Sequence, residues 1–350
     1  MINKSNSMMK KLSIILITAL IAVTHSVNAT SFALNDYNLV TIGDVNSSSL
    51  HVHGNAFVGG NLNAGNAEFG NDINNTTALE LAGELQQNVR IHGGNSAEVN
   101  GSAVQEIDMN GVATGRYLVN GNAISNASSV TQNAQLSAQQ AAIKASLESA
   151  SAQFAAMADV NTQDISGNKL HVNSLDSNGY AVFQLGEKVN SGDAADIGKN
   201  SFLLSNSNQD LEIVYNLSAS TLNELGGIII NVPGTEIDFS ENNNKVSGNG
   251  FLSSLQGRAN VLWNFFEATS ITLNANFYGN ILAPLAQLTS SSDIDGSVAV
   301  YGLSAQHSGQ IHLPTSTIPT PPSTVSIPEP SVVALMLLSL LLLVRRHNAH

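Results

Sequence analysis

The sequence predicts a mainly β fold, a β-solenoid with one long inserted α-helix packed on its flank. Three observations predict it. Short runs of alternating apolar residues recur between Gly-Asn pairs that begin at positions 54, 60, 65, 70, 94 and 121. One stretch free of Gly and Pro, about 131–158, follows a helical period instead. The composition combines 28 glycines and abundant Asn, Ser and Ala with only 11% charged residues and no cysteine. Gly and Asn tolerate positive φ, so each pair marks an expected tight turn. Pairs five and six residues apart leave no room for hairpins of ordinary strands, and fit short strands on successive rungs.

Taken in order, the chain starts with a processing segment. Lys4, Lys10 and Lys11 precede the apolar stretch Leu12–Val23, and Val27-Asn28-Ala29 supplies an A-x-A-like site. Residues 1–29 read as a secretory signal peptide cut after Ala29. Strand-like runs then begin with Leu39-Val40-Thr41-Ile42, Leu50-His51-Val52-His53 and Ala56-Phe57-Val58. In the helical stretch, Leu136, Ile143, Leu147, Ala150, Phe154 and Met157 fall on one face of a 3.6-residue period. A single narrow apolar stripe wants one surface, and the flank of the β body provides it. Strand-like runs resume at Leu170-His171-Val172, Ala181-Val182-Phe183, Leu211–Tyr215 and Ile228–Val232, and are densest between Asn260 and Leu313. Within them, Pro284 is expected to end a strand, because proline donates no ladder hydrogen bond. The segment 315–326 reads as an extended Pro/Ser/Thr linker.

The last residues, 327–350, form a second processing segment. Pro328-Glu329-Pro330 leads into an apolar run, Val332–Val344, broken only by Ser339 and followed by Arg345 and Arg346. As a helix that run rises about 20 Å, short of the ~30 Å hydrocarbon core. The order of motif, hydrophobic segment and basic pair resembles the PEP-CTERM sorting signal of Gram-negative bacteria. The resemblance implies the secretion translocon and an exosortase as processing partners. It also implies transient anchorage in the inner membrane through the terminal segment alone, then release to the cell surface or extracellular matrix. An ordinary C-terminal anchor is the alternative.

Of 13 basic and 26 acidic residues, five basic (Lys4, Lys10, Lys11, Arg345, Arg346) and one acidic (Glu329) lie in these ends. The remainder carries 8 basic against 25 acidic residues. That balance disfavours nucleic acid, whose phosphates require Lys and Arg. With no cysteine, disulfides, thiolate catalysis and Cys-ligated metals are excluded.

Chemistry-bearing motifs are few. His51 and His53 are two apart and share one strand face, where they could chelate a metal or meet another ligand. The alternative is two polar residues on the wet face of a strand. No carboxylate lies in the same run, although Asp44 is near in sequence. Asp293-Ile294-Asp295-Gly296 and Gly70–Asn75 offer oxygens for calcium without the spacing of a known calcium loop. Gly192–Lys199 has the wrong spacing for a phosphate loop. No nucleophile elbow or zinc-protease helix occurs. No catalytic residue, cofactor or metal site is therefore assigned, calcium remaining the one ion considered.

Two blocks carry a wider resemblance. The first is Tyr37–Asp44 with Val52–Asn61. The second comprises Leu262-Trp263-Asn264-Phe265, Gly279–Ala286, Gly296-Ser297-Val298-Ala299 and Gln310-Ile311-His312. Together they resemble the choice-of-anchor A domain over about 32–314, with Gln310 standing where an acid is expected. The resemblance implies a β-helical adhesive module with an inserted helix. The expectation is a non-enzymatic surface or matrix protein that binds exopolysaccharide in a biofilm. A β-helical polysaccharide lyase or hydrolase is one alternative. The other is an ice- or surface-binding protein using Thr269-Ser270-Ile271-Thr272. Trp263, the one tryptophan, is read as a core residue or as a stacking platform for ligand.

Overall fold

The computed structural model describes residues 32–100, 106–109, 116–118, 130–164, 169–185, 199–200, 212–239, 260–313 and 318–321. Ala29, the Gly-Asn pair at 121, Gly192, Pro328, Glu329, Pro330, the apolar segment 332–344, Arg345 and Arg346 lie outside the described residues.

Three short strands set the pattern: Leu39–Thr41, Val45–Ser47 and His51–Val52. Each pairs in parallel with its counterpart one repeat later, Ala56–Val58, Leu62–Ala64 and Ala67–Phe69. The first column continues through Thr77–Leu81, Ser96–Val99 and Val130–Gln132. The third continues through Val89–Ile91 and Glu106–Met109. After the helix Leu136–Ala155 the chain re-enters the first column at Tyr180–Gln184. It returns through Gly227–Asn231, Val261–Asn264, Asn280–Ser290 and Val298–Leu303. That last strand pairs with Leu39–Thr41, so the first strand sits between the second repeat and the last. Gln310–His312 closes the third column in the same way against His51–Val52.

The result is a 15-stranded sheet and an 8-stranded sheet, with parallel pairing almost throughout, and a separate 3-stranded sheet. This mainly β arrangement, with few helices, is compatible with a β-helix-like fold. Residues up to Thr320 form one unit and Pro321–His350 another.

Register turns the short strands into continuous apolar ladders. Ile271, Leu288, Leu303, Val45, Leu62 and Leu85 align inward along the second column. Phe277, Ile294, Ile311, Val52, Phe69 and Ile91 do the same along the third. All twelve are buried. In the first column the strands Gly227–Asn231, Val261–Asn264, Leu39–Thr41 and Ala56–Val58 are buried on both sides, as continuous apolar parallel strands require. Its second side places Val40, Phe57, Ile229, Leu262, Leu282 and Ala299 in one cluster with Leu136, Ile143, Leu147, Ala150 and Phe154 of the long helix.

The helix is shorter than the stretch 131–158, because Val130–Gln132 pairs with Ser96–Val99 as a strand and Met157 lies past the last turn. Three amides in register on neighbouring strands, Gln184, Asn231 and Asn264, hold the helix C-terminus. Gln184 Nε2 donates to the carbonyls of Ala155 (3.1 Å) and Met157 (2.7 Å), and Asn231 Nδ2 donates to Phe154 O (2.8 Å). Asn264 Nδ2 donates to Ser151 O (2.9 Å) and to Asn231 Oδ1 (2.7 Å), and Ser151 Oγ returns a bond to Asn264 Oδ1 (2.6 Å). Helix ends leave carbonyls without intrahelical donors, and here the sheet supplies them. Nearer the other end, Gln139 Nε2 donates to both Tyr37 Oη and Glu80 Oε2 at 2.8 Å.

Two local expectations are corrected. Several Gly-Asn glycines do not have positive φ: Gly54, Gly60 and Gly65 are absent from the left-handed set, whereas Gly70 and Gly94 belong to it. At Gly60 the reason is close approach, since a Cβ there would stand 2.4 Å from the Gly43 carbonyl carbon. Pro284 does not end its strand: Asn280–Ser290 runs through it, with a register shift between Ala283 and Gln287 that absorbs the missing donor. Within the segment read as a free linker, Ile318 is buried in the helix-side cluster and Tyr180 Oη donates to Thr320 O (3.0 Å).

Asn264→Ala leaves the Asn231 carbonyl oxygen without its donor in a dry interface, a penalty of roughly 1–3 kcal/mol. Urea unfolding of the variant is expected to show that loss, whereas Asn63→Ala on an outer face should change stability by no more than about 0.5 kcal/mol.

Candidate binding faces

The helix covers the outer side of the first column, and the outer sides of the second and third columns carry two different rows of polar side chains. On the second column, Thr272 is in register with Thr289, and Thr289 Oγ1 lies 2.6 Å from Ser304 Oγ. Ser304 and Asn46 each follow the paired residues Leu303 and Val45 by one position. Asn63 Nδ2 donates to Asn46 Oδ1 (3.3 Å) and Gln87 Nε2 donates to Asn63 Oδ1 (2.7 Å). Each amide is therefore oriented by the next. The row from Thr272 to Gln87 carries no formal charge. Of the Thr269–Thr272 run, Ile271 points into the core and Thr272 joins this row, while Thr269 Oγ1 donates to Thr235 O (3.0 Å).

The third column is titratable. Val52 is buried between His51 and His53, which places both histidines on the outer side. His51 is in register with Glu68 on one side and with Gln310 on the other. His53 Nδ1 pairs with Asp72 Oδ2 (2.9 Å), its Nε2 faces Gln310 Oε1 (3.1 Å), and its ring meets that of His312 edge-on at 4.6 Å. His312 Nδ1 is hydrogen-bonded to Asp295. Glu68 accepts from Arg90 (2.7 Å) and pairs with His92 Nε2 (2.9 Å). Gln310 is thus a neutral partner of His53.

The hydrogen bond to Asp295 raises the pKa of His312, with burial opposing it. Burial alone would raise Glu68, but the hydrogen bond and charge of His92, with His51 and Arg90, hold it below the usual carboxylate range.

The remaining candidates are dispersed. Trp263 is fully buried: its ring stacks on Phe265, meets Phe277 edge-on at 5.5 Å, and donates from Nε1 to Tyr278 O (3.1 Å). It has no face left for a ligand, because its strand's inner side faces the aromatic core. Asp44 lies away from the histidines and accepts from the Asn61 amide (2.7 Å). The calcium candidates are committed otherwise: Asp293 accepts from the Gln310 amide, Asp295 holds His312, and Asp72 holds His53. Among the described residues no group of three or more His, Asp and Glu is arranged to hold a metal ion.

Thr289, Ser304, Asn46, Asn63, Gln87, Glu68 and His92 were not singled out by sequence reasoning, and Asp72 and His312 were named only in other roles. One signal points to several of them: Asn46 and Asn63, and Asp295 and His312, are each 17 residues apart, one repeat.

Between the two faces, His307 is buried with no well-formed hydrogen bond to either ring nitrogen among the described residues, while its carbonyl accepts from Ser47 Oγ (2.7 Å). Burial pushes its pKa down to about 4, with the Gly309 backbone pulling weakly the other way.

These features define a class: a mainly β, parallel-sheet domain that presents ordered rows of polar side chains on its outer faces. The chain belongs to the family described as Putative Ice-binding-like adhesive domain, whose model matches residues 32–313. Membership points to a cell-surface or extracellular protein with an adhesive or ice-binding-like role. Neither the curated proteins nor the solved structures contain a match to the chain.

The two perturbed histidines act on stability in opposite directions. His307 is harder to protonate folded than unfolded, so its contribution is intact above about pH 6.5 and is lost as the pH falls toward about 4. The raised pKa of His312 gives stability that is complete below its unfolded value and is lost as the pH rises through the folded one. Thermal unfolding across pH 4–8 should therefore lose its acid-side slope in His307→Gln and its neutral-side slope in His312→Gln.

Proposed function

We propose that the chain is an exported, non-catalytic surface adhesive. In this reading its body is a β-solenoid that holds an uncharged, hydroxyl-rich polymer, such as a neutral matrix polysaccharide, on the outer side of the second column. The observation that carries it is the uncharged row Thr272, Thr289, Ser304, Asn46, Asn63 and Gln87. Parallel strands stack about 4.8 Å apart, so the row offers hydroxyl and amide groups at that interval along a flat surface. Their mutual hydrogen bonds fix the rotamers in advance, which lowers the ordering cost of binding. Neutral groups are also cheaper to desolvate than charged ones, which suits a partner with no charge. Family membership supports adhesion.

The sequence ends support export. Signal-peptide cleavage after Ala29 would be followed by exosortase processing at Pro328-Glu329-Pro330, with Arg345 and Arg346 kept on the cytoplasmic side. The family description also favours a second reading, ice binding by this same row, for which the measurement is thermal hysteresis.

Thr272→Lys/Thr289→Lys in the full chain should reduce retention on an insoluble neutral glucan by about tenfold, the equivalent of losing ~1.4 kcal/mol. Unchanged retention in the folded variant would remove this face from the proposal. Replacing Pro328, Glu329 and Pro330 with alanine should leave an unprocessed membrane form on cell fractionation, and normal processing of the variant would sink the sorting assignment.

A further inference from the structure

Six histidines fall among the described residues, and four of them, His51, His53, His92 and His312, share the outer side of the third column. The other two are elsewhere: His307 is buried at a corner, and His171 lies on the strand Lys169–Val172 of the 3-stranded sheet. The clustering is a product of register. Parallel pairing places His51 beside Glu68 and Gln310, and brings His53 against His312 across 4.6 Å.

The charged groups facing these histidines come from every neighbouring strand and turn. Among the described side chains they are Glu68, Asp72, Asp293, Asp295 and Arg90. Among the described side chains, four carboxylates face one guanidinium and four imidazoles. With the imidazoles neutral the face is net negative, like the rest of an acidic chain with pI near 4.9. With all four protonated, five positive groups face four negative ones. Imidazole is the side chain whose charge changes between about pH 5 and 8. Protonating the four imidazoles therefore turns this face from net negative to net positive.

We propose that the third-column face is a pH-gated docking surface for a linear polyanion bearing repeated carboxylates, such as a polyuronate, engaged in mildly acidic conditions and released near neutrality. A linear partner fits because the imidazoles are spread across adjacent strands, so each contact is weak and the row acts through multivalency. Neighbouring His53 and His312 repel one another when both are charged, and a carboxylate laid along the row relieves that repulsion as well as pairing with each ring. The site is separate from the uncharged row on the second column, so the two proposals stand or fall independently.

The test is retention of the full chain on polygalacturonate beads at pH 5 and pH 8 in low salt, with neutral dextran beads as reference. Retention on polygalacturonate should rise by about tenfold at pH 5 and weaken with added salt, with no rise on dextran. His53→Gln/His312→Gln should lose most of that rise. His51→Gln/His92→Gln provides the same test at the other two positions of the row if the first pair impairs folding, as judged by circular dichroism. His171→Gln should keep the full rise. Retention independent of pH, an equal rise on dextran, a wild-type rise in both double variants, or a loss in His171→Gln equal to theirs would overturn the proposal.

Discussion

The pairing of Leu39–Thr41 with Val298–Leu303 is the contact on which the rest of the structure depends. It joins the strands that precede the long helix to those that follow it, and so makes one sheet of what would be two. Both outer rows cross this seam. Ser304 meets Asn46 there on the second column, and Gln310 and His312 meet His51 and His53 on the third. A slip of one residue would turn Val45 and Val52 outward and bury the polar residues beside them, because side chains alternate along a strand. The apolar ladders thus hold the register, and the register builds the surface.

That dependence explains what could be read from the sequence and what could not. The helix was legible because Leu136, Ile143, Leu147, Ala150 and Phe154 keep a local period, and all five are buried against the sheet. The strands after it were legible as apolar runs, such as Ile228–Ile230, which are buried on both sides. His51 and His53 were correctly placed on one face from their spacing alone. Their partners were not, because Gln310 is 257 residues from His53 and only pairing across the seam brings them together. The Thr/Ser/Asn row was missed for the same reason: its members recur down a column of strands and not along any one of them. Trp263 shows the reverse limit. A lone tryptophan in an apolar run is compatible with either a core or a platform, and only the positions of Phe265 and Phe277 decide for the core.

The three outer sides divide the work by polarity. The first column spends its outer side on the helix, and polar groups there are satisfied internally: Tyr37, Glu80 and Gln139 form one cluster and the amides at 184, 231 and 264 another. Burial, the largest influence, raises the pKa of both Tyr37 and Glu80, while the hydrogen bonds from Tyr37 and Gln139 pull Glu80 back. The second and third columns keep their outer sides open: the second carries the uncharged row from Thr272 to Gln87, bordered by Asp238 in register with Thr272, and the third is titratable. Because their inner ladders are equally apolar, the outer residues are free to vary without disturbing the core.

A chain with no cysteine must resist unfolding outside the cell without covalent staples, and asparagine takes over part of that role here. Asn38 Oδ1 accepts from the Gly54 amide (3.0 Å), while its Nδ2 donates to His312 O (3.1 Å), 274 residues away. Asn280 spans Val261 O and the Ser297 amide, and Asn95 spans Gly70 O, Ile73 O and the Thr76 amide. Asn38 and Asn280 each satisfy backbone groups on two sides of their own strand, and Asn95 satisfies three within the single turn 70–76. A net contribution of about 1 kcal/mol per bond is modest. Leaving the same backbone groups buried and unpaired would cost more than that for each one, so the asparagines are required wherever a glycine lets the repeats approach closely. The Gly279-Asn280 pair therefore records a two-part solution, in which glycine permits the approach and asparagine satisfies the backbone that the approach buries, whereas at Gly94-Asn95 the glycine supplies the positive φ of the turn.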